Sequence, residues 1–194
     1  MRRITLDIET AGSFSGPMPD PIELELTIAC IHDSKTNQFD SFLKEELPRL
    51  WPMLEHADLI IGYNSDHFDI PILNKYYTGD LTQVPSIDLL KEVKNVLGRR
   101  LKLDNIAEAT LGKKKSSNGL QAVKWWEEGE VEKVREYCID DVRLTLELYE
   151  YAKKHGLLKY RDFSDGDVRD IKLDTSNWEK PRGSAGALTH TLPF

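Results

Sequence analysis

The chain has 194 residues, of which 40% are hydrophobic and 30% charged, and its formal net charge is −7. This length suits one domain with a sizeable core, and the composition excludes a wholly disordered chain. The negative charge argues against a DNA binder that coats a groove with basic side chains. No apolar run is long enough for a membrane span, so no membrane partner is expected. Cys30 and Cys138 are far apart and form no CxxC motif, which fits a reduced, cytoplasmic protein.

The first half of the chain is predicted to form a strand meander followed by alternating helices and strands. Residues 3–9 alternate apolar and polar side chains, which is typical of a strand with one buried face. A Gly- and Pro-rich loop over 11–21 follows, and strands over 22–32 and 38–43 are joined by turn residues as a hairpin. Further elements are expected as helices over 44–56 and 67–77 and as buried strands over 58–62 and 86–88.

The second half is mainly helical in its apolar spacing. Helices are predicted over 89–97, 104–111, 120–128 and 131–155. Gly156 is a suitable residue to end the last helix. Residues 168–173 favour one more strand, whereas 182–194 show no pattern of their own. This order predicts an α/β domain over 1–160, with a mixed five-stranded sheet flanked by helices, and a C-terminal extension over 161–194 that holds a strand and then a loose tail.

Four acidic residues stand out because their predicted positions suit a common site. Asp7 and Glu9 are two apart on a strand, so both side chains leave the same face. Asp69 lies near the start of a helix, and Asp141 lies inside the long helix. Carboxylates that are buried together are costly unless cations pair with them. Two Mg²⁺ or Mn²⁺ ions, which prefer oxygen ligands, would supply that charge and can hold a phosphodiester beside an activated water.

Each of these carboxylates also has a simpler explanation when it is taken alone. Asp7 and Glu9 could face solvent, and Asp69 could be a charge favoured by the helix dipole. Asp141 lies beside Asp140 and could be a surface charge. It is the combination, in this order, that favours the metal site.

Three segments resemble the motifs of the DEDD 3′–5′ exonuclease superfamily, which has a ribonuclease H-like fold. They are Asp7-Ile8-Glu9-Thr10, Asn64-Ser65-Asp66-His67-Phe68-Asp69 and Tyr137-Cys138-Ile139-Asp140-Asp141. The stretch 101–112 is also similar to part of the proofreading domains of family B DNA polymerases. In the histidine subclass a His stands five residues before the last Asp. Glu136 stands there in this chain, so the resemblance assigns the tyrosine subclass.

The resemblance implies a metal-dependent 3′–5′ exonuclease that hydrolyses single-stranded DNA or RNA 3′ ends and releases nucleoside monophosphates. It would act by a two-metal mechanism, and a role in proofreading or DNA repair would follow. The implied ligands of the two Mg²⁺ or Mn²⁺ ions are Asp7, Glu9, Asp69 and Asp141, and Tyr137 would orient the attacking water. Tyr137 and Asp141 are four residues apart, which independently places them on one helix face.

Residues beside the motifs are expected to bind the substrate. These are Thr10, Ala11, Asn64, Phe68, Lys113 and Lys114. Thr10 and Ala11 would contact the terminal nucleotide by analogy, and the lysines would contact phosphates. Asn64 is equally a turn former, Phe68 more plausibly packs under the site, and the lysines could belong to a solvated loop.

Two other features leave alternatives open. Asp88 could support the metal ions from behind or cap the helix that starts at Leu89. Trp125 and Trp126 favour core packing over base stacking, because neighbouring helix residues point about 100° apart.

The activity itself has competing explanations. They are a catalytically silent nucleic-acid-binding module, an endonuclease of the same fold and a metal-dependent phosphatase. The choice between DNA and RNA and the oligomeric state stay open. A polymerase or helicase partner would act in trans, since 194 residues leave no room for a polymerase domain.

Overall fold

The computed structural model describes residues 1–12, 20–113 and 119–180. In these ranges the strands are β1 (Arg3–Ala11), β2 (Glu25–Asp33), β3 (Gln38–Leu43), β4 (Leu59–Gly62), β5 (Ser86–Asp88), β6 (Leu157–Arg161) and β7 (Val168–Lys172). The α-helices are α1 (Leu47–Glu55), α2 (Asp69–Asn74), α3 (Leu89–Leu97), α4 (Leu103–Leu111), α5 (Gly119–Glu127) and α6 (Val131–His155). Short 3-10 turns occupy Pro21–Glu23, Lys44–Glu46 and Leu81–Gln83.

Five strands form one mixed sheet in the order β3-β2-β1-β4-β5. The strands β1, β2 and β3 are antiparallel neighbours, while β4 runs parallel to β1 and β5 runs parallel to β4. The carboxyl ends of β1, β4 and β5 therefore meet at one edge of the sheet, where sites are commonly found in α/β folds. The predicted α/β class, the mixed five-stranded sheet and the hairpin of the second and third strands are confirmed.

The side chains of β1 divide between the two faces of this sheet. Ile4, Leu6 and Ile8 point to one face and pack in a fully buried cluster with apolar residues of α1 and α2. Asp7 and Glu9 alternate with them and so point to the other face, which α6 covers. The alternation that buries the strand thus also sets two carboxylates under the longest helix.

The helix α6 lies across β1 and β2 because its apolar stripe matches the sheet. Val134, Cys138 and Val142 pack against Ile28 and Cys30 of β2, and all five are fully buried. This spacing of four residues is the stripe that the sequence shows. The helix ends where expected, at Gly156, whose φ of 68° is left-handed.

Two predicted elements are shorter than expected. The strand predicted over 22–32 begins only at Glu25, because Pro21–Glu23 forms a 3-10 turn capped by the Asp20 side chain. The helix predicted over 67–77 covers only Asp69–Asn74. The two residues before it belong to a turn, because the N–H groups of His67 and Phe68 both donate to the carbonyl of Asn64.

One strand, β6, was not anticipated. It forms a hairpin with β7, and the Thr110 hydroxyl bonds both the N–H and the C=O of Lys159. Trp178 stacks on Tyr149 of α6 at 5.5 Å and is 6% exposed. The predicted domain boundary at residue 160 therefore falls inside β6, and the chain packs on the same core through Trp178. The tail predicted over 182–194 lies outside the described residues.

Within the described ranges, no helix combines the length and the apolar character needed to cross a membrane.

Candidate active site

The strand β1 carries the first two carboxylates of the site. Three potential metal ligands lie close together here: one atom each of Asp7, Glu9 and Cys138, all within 4.8 Å of one another. The carboxylates of Asp7 and Glu9 are half-buried. Directly after Glu9 the pairing of β1 with β2 shifts register before Thr10. Such irregularities re-aim side chains and are frequent next to active sites.

Asp69 is fixed to the same stretch of β1 by a hydrogen bond. The pairing of β1 with β4 covers only Arg3–Thr5, so the N–H of Ile8 is free of that ladder. It donates to Oδ1 of Asp69 at 3.0 Å. Asp69 begins α2 and is only 4% exposed. Because Ile8 lies between Asp7 and Glu9, this bond sets a third carboxylate beside the first two.

The fourth carboxylate comes from α6. Asp141 is 5% exposed and lies three residues after Cys138, whose Sγ is 3.6 Å from Oδ2 of Asp7. Burial, together with the negative charges of Asp88 and Asp141, raises the pKa of Asp69 to about 8. The structure therefore brings acidic side chains from β1, α2 and α6 close together, and their role as metal ligands stays a prediction.

This donor set fits hard divalent cations. Four carboxylates offer oxygen ligands, and their shared burial leaves a local excess of negative charge that a cation would compensate. The thiol of Cys138 touches the same group, but burial raises its pKa well above the ordinary value and keeps it neutral. A neutral thiol is a poor ligand for Mg²⁺ or Mn²⁺, which leaves the oxygens as ligands.

Asp88 holds the loop that leads into Asp69. Its Oδ1 accepts from the N–H groups of Asn64 and Leu90, and its Oδ2 accepts from the N–H of Asp66. Asn64 has a left-handed φ of 71°. Burial raises the pKa of Asp88, which is 5% exposed, although the backbone donors lower it. Asp88 therefore caps α3, one of the two expected roles, and also anchors the preceding loop.

Tyr137 lies one helical turn before Asp141 and is 5% exposed. Its ring meets the edge of Trp125 at 6.5 Å between centroids. It lines a cavity of about 430 Å³ together with Asn64 and Arg100. Trp125 is half-buried and packs against the core, as does its neighbour Trp126, so core packing is the arrangement found for both.

The expected substrate-binding residues lie in different places. Thr10 and Ala11 follow the irregularity in β1 and are half-buried. Phe68 packs against the apolar cluster beneath the site. Lys113 bonds both carboxylate oxygens of Glu147 on α6, at 2.7 and 2.6 Å. Lys114 lies outside the described residues.

Two contacts of the site were not foreseen. Cys138 touches Asp7, and the available signal was its spacing of three residues from Asp141 on the same helix stripe. Arg100 donates to the side-chain oxygen of Asn64 at 2.5 Å, although the two residues are 36 positions apart. No local pattern marks that second pair.

A five-stranded mixed sheet of this order, with carboxylates of its central strand facing carboxylates of flanking helices, defines a ribonuclease H-like α/β domain. Residues 4–153 match the RNase_H_2 family model, described as RNase_H superfamily. The chain belongs to this family, which confirms the predicted ribonuclease H-like fold and superfamily, whereas the tyrosine subclass stays a prediction. The family and the acidic cluster together indicate a nuclease.

A solved structure shows the same fold. The family B DNA polymerase from the hyperthermophilic archaeon Pyrobaculum calidifontis is similar over 78% of this chain, with a TM-score of 0.62 and 20% sequence identity. The chain spans 24% of that polymerase chain. No curated protein has a significant match to this sequence.

Proposed function

We propose that this chain is a metal-dependent 3′–5′ exonuclease that hydrolyses phosphodiester bonds at single-stranded 3′ ends and releases nucleoside monophosphates. The observation that carries the proposal is the convergence of Asp7, Glu9, Asp69 and Asp141 from three separate elements. Gathering buried carboxylates in one place is unfavourable because the charges lose their hydration and repel one another. Binding of cations is the simplest interaction that would offset this free energy.

The four carboxylates would hold two Mg²⁺ or Mn²⁺ ions, which when bound would activate water and stabilise the leaving oxygen. The chain contributes fixed positions for these oxygens. The N–H of Ile8 orients Asp69, and the packing of α6 on β2 holds Asp141 over the strand. This preorganisation removes the need to rearrange the ligands during the reaction.

Tyr137 would orient the attacking water, as in the tyrosine subclass. It shares a helix face with Asp141, and packing against Trp125 restricts its ring. A phenol is a poor base at neutral pH, so its hydroxyl would position the water by hydrogen bonding and not remove its proton.

The polymerase with the similar fold supports nucleic acid as the substrate class. We therefore test DNA and RNA side by side, and we propose a polymerase or a helicase as the protein partner. Thr10, Ala11, Asn64 and Phe68 remain our candidates for contacts with the terminal nucleotides.

The test uses single-stranded DNA and RNA labelled at the 5′ end, incubated with Mg²⁺ or Mn²⁺. We expect a ladder of products shortened from the 3′ end, with mononucleotides detected by chromatography. Asp141→Asn should lower the rate by about a hundredfold or more, because one ligand is lost. Asp140→Asn is the matched control, since that neighbouring carboxylate is half-exposed and pairs with Arg143.

Other outcomes would overturn the proposal. Cleavage of a circular single strand would identify an endonuclease. Tight binding with intact ends would identify a silent binding module. Equal rates for Asp141→Asn and the wild type would remove the acidic cluster from the reaction.

A further inference from the structure

Two cavities beside the candidate active site share a wall formed by Asn64, Leu90 and Arg100. The first, of about 430 Å³, reaches from Tyr137 to Arg100. The second, of about 260 Å³, continues from Arg100 to Lys94. Because the two are contiguous, they form one surface groove that starts at the candidate catalytic tyrosine and leads away from it. We call it the Arg100 groove.

Arg100 lies at the middle of this groove in a defined position. Its Nη2 donates to Oδ1 of Asn64 at 2.5 Å. Asn64 is itself held by Asp88, which accepts from its N–H at 2.8 Å. An amide oxygen uses one of the five guanidinium donors and leaves the positive charge uncompensated. Within the described ranges Arg100 forms no ion pair, so its charge is available to an anion.

The wall of the groove carries several cations although the protein is acidic overall. Lys91 pairs with Asp66 at 2.8 Å, which neutralises both. The Asp88 carboxylate is turned inward onto backbone N–H groups. Lys94 and Arg100 remain as cations on the wall of the second cavity, while Lys102 and Asp104 line the first cavity with opposite charges. The end of the groove at Lys94 therefore attracts a polyanion, while the other end is lined by Tyr137, which lies one helical turn before Asp141.

The part of the groove nearest the site also offers flat and apolar surface. Tyr63 and Leu101 line it, and the Tyr63 hydroxyl donates to the carbonyl of Leu101 at 2.9 Å, which restrains the ring. Anionic groups spaced along a flexible chain of planar rings match such a surface, and a single-stranded nucleic acid has that chemistry.

We propose that Arg100 binds a backbone phosphate of the single strand, upstream of the bond that is cleaved, and that the Arg100 groove sets the strand length needed for efficient cleavage. This inference rests on the proposed exonuclease function and names the path of its substrate. A guanidinium that is already oriented can bind phosphate through two parallel N–H donors with little loss of freedom.

The test measures kcat and KM on strands from dinucleotide to octanucleotide for the wild type, Arg100→Ala, Arg100→Lys and Arg49→Ala. Arg49 is the matched control because it is an exposed arginine on α1, paired with Glu46 and outside the groove. We expect Arg100→Ala to raise KM about tenfold for the longer strands, with kcat unchanged. The dinucleotide, whose single phosphodiester is the bond to be cleaved, has no upstream phosphate and should show equal KM in all four proteins.

Two further readouts separate a phosphate contact from a structural role. The slope of log KM against log salt should fall by about 0.7 in Arg100→Ala, as expected for one lost phosphate contact on a single strand. Arg100→Lys should restore part of the affinity, because the charge remains and the bidentate geometry is lost.

Failure of the inference is distinct from failure of the proposed function. If the wild type is active but Arg100→Ala keeps its length dependence and salt slope, the groove is not the path of the strand. If the wild type cleaves no strand of any length, the exonuclease proposal falls, and this inference falls with it.

Discussion

Replacing Asp69 by Asn should stabilise the protein when no metal is present. The same substitution should abolish activity when metal is present. The carboxylate is 4% exposed and lies near the charges of Asp88 and Asp141. Asn has the same shape, and its Oδ1 can still accept the N–H of Ile8. The substitution therefore removes a buried charge without creating a cavity or losing that hydrogen bond.

The size of the effect follows from the pKa of Asp69. Its folded value is raised to about 8. The unfolded value is about 3.9, and a difference of about four in pKa corresponds to at most about 6 kcal/mol. Because the folded pKa is the higher one, this contribution to stability is fully present below pH ~4 and is lost as the pH rises to ~8. The Asp69→Asn variant lacks this pH-dependent loss. Its free energy of unfolding should therefore exceed that of the wild type by an amount that grows between pH ~4 and ~8.

The assay is urea unfolding in EDTA at several pH values between ~4 and ~8. Asp170→Asn is the matched control, because that carboxylate is exposed on β7. Adding Mg²⁺ should then narrow the gap in the free energy of unfolding at pH ~8. Ligand at about a hundredfold excess over Kd stabilises the wild type by about 2.7 kcal/mol, and the variant has lost one ligand. The reasoning is refuted if Asp69→Asn is no more stable than the wild type at pH ~8 in EDTA, or if the gap does not widen with pH.

Three further predictions concern single residues. Tyr137→Phe should lower kcat by about tenfold to a hundredfold while the protein stays folded, measured by initial rates and circular dichroism. Trp178→Ala should cost about 3–5 kcal/mol in urea unfolding, because it removes the buried ring stacked on Tyr149. Gly62→Ala would place a Cβ 2.2 Å from Oγ of Ser65. It should cost about 1–3 kcal/mol and lower activity, since that loop leads into the candidate site.

Much of the sheet could be predicted because its strands carry local signals. The predicted bounds of β3 and β5 agree with the structure. Turn residues precede β3, and β5 is followed directly by the helix that Asp88 caps. The strand β6 could not be predicted from its five residues. Its partners are β7 and Thr110 of α4, and no local pattern records those contacts.

The candidate site divides in the same way. Two short spacings can be recognised from the sequence alone: Asp7 and Glu9 are two apart on a strand, and Tyr137 and Asp141 are four apart on a helix. The bond from Ile8 to Asp69 spans 61 positions, and the one from Arg100 to Asn64 spans 36. Such pairings depend on the finished topology, so the sequence could suggest the acidic group but not the hydrogen bonds that position it.

The ion pair between Arg3 and Glu179 has a consequence for how the chain folds during synthesis. Their side chains bond at 2.8 Å across a separation of 176 residues, and Glu179 also accepts from Tyr149. Arg3 begins the strand that carries Asp7 and Glu9. A ribosome must therefore release almost the whole described chain before this central strand gains its last anchor. Contacts so distant in sequence form late and slowly, so the nascent chain is expected to pass through a stage that chaperones can recognise.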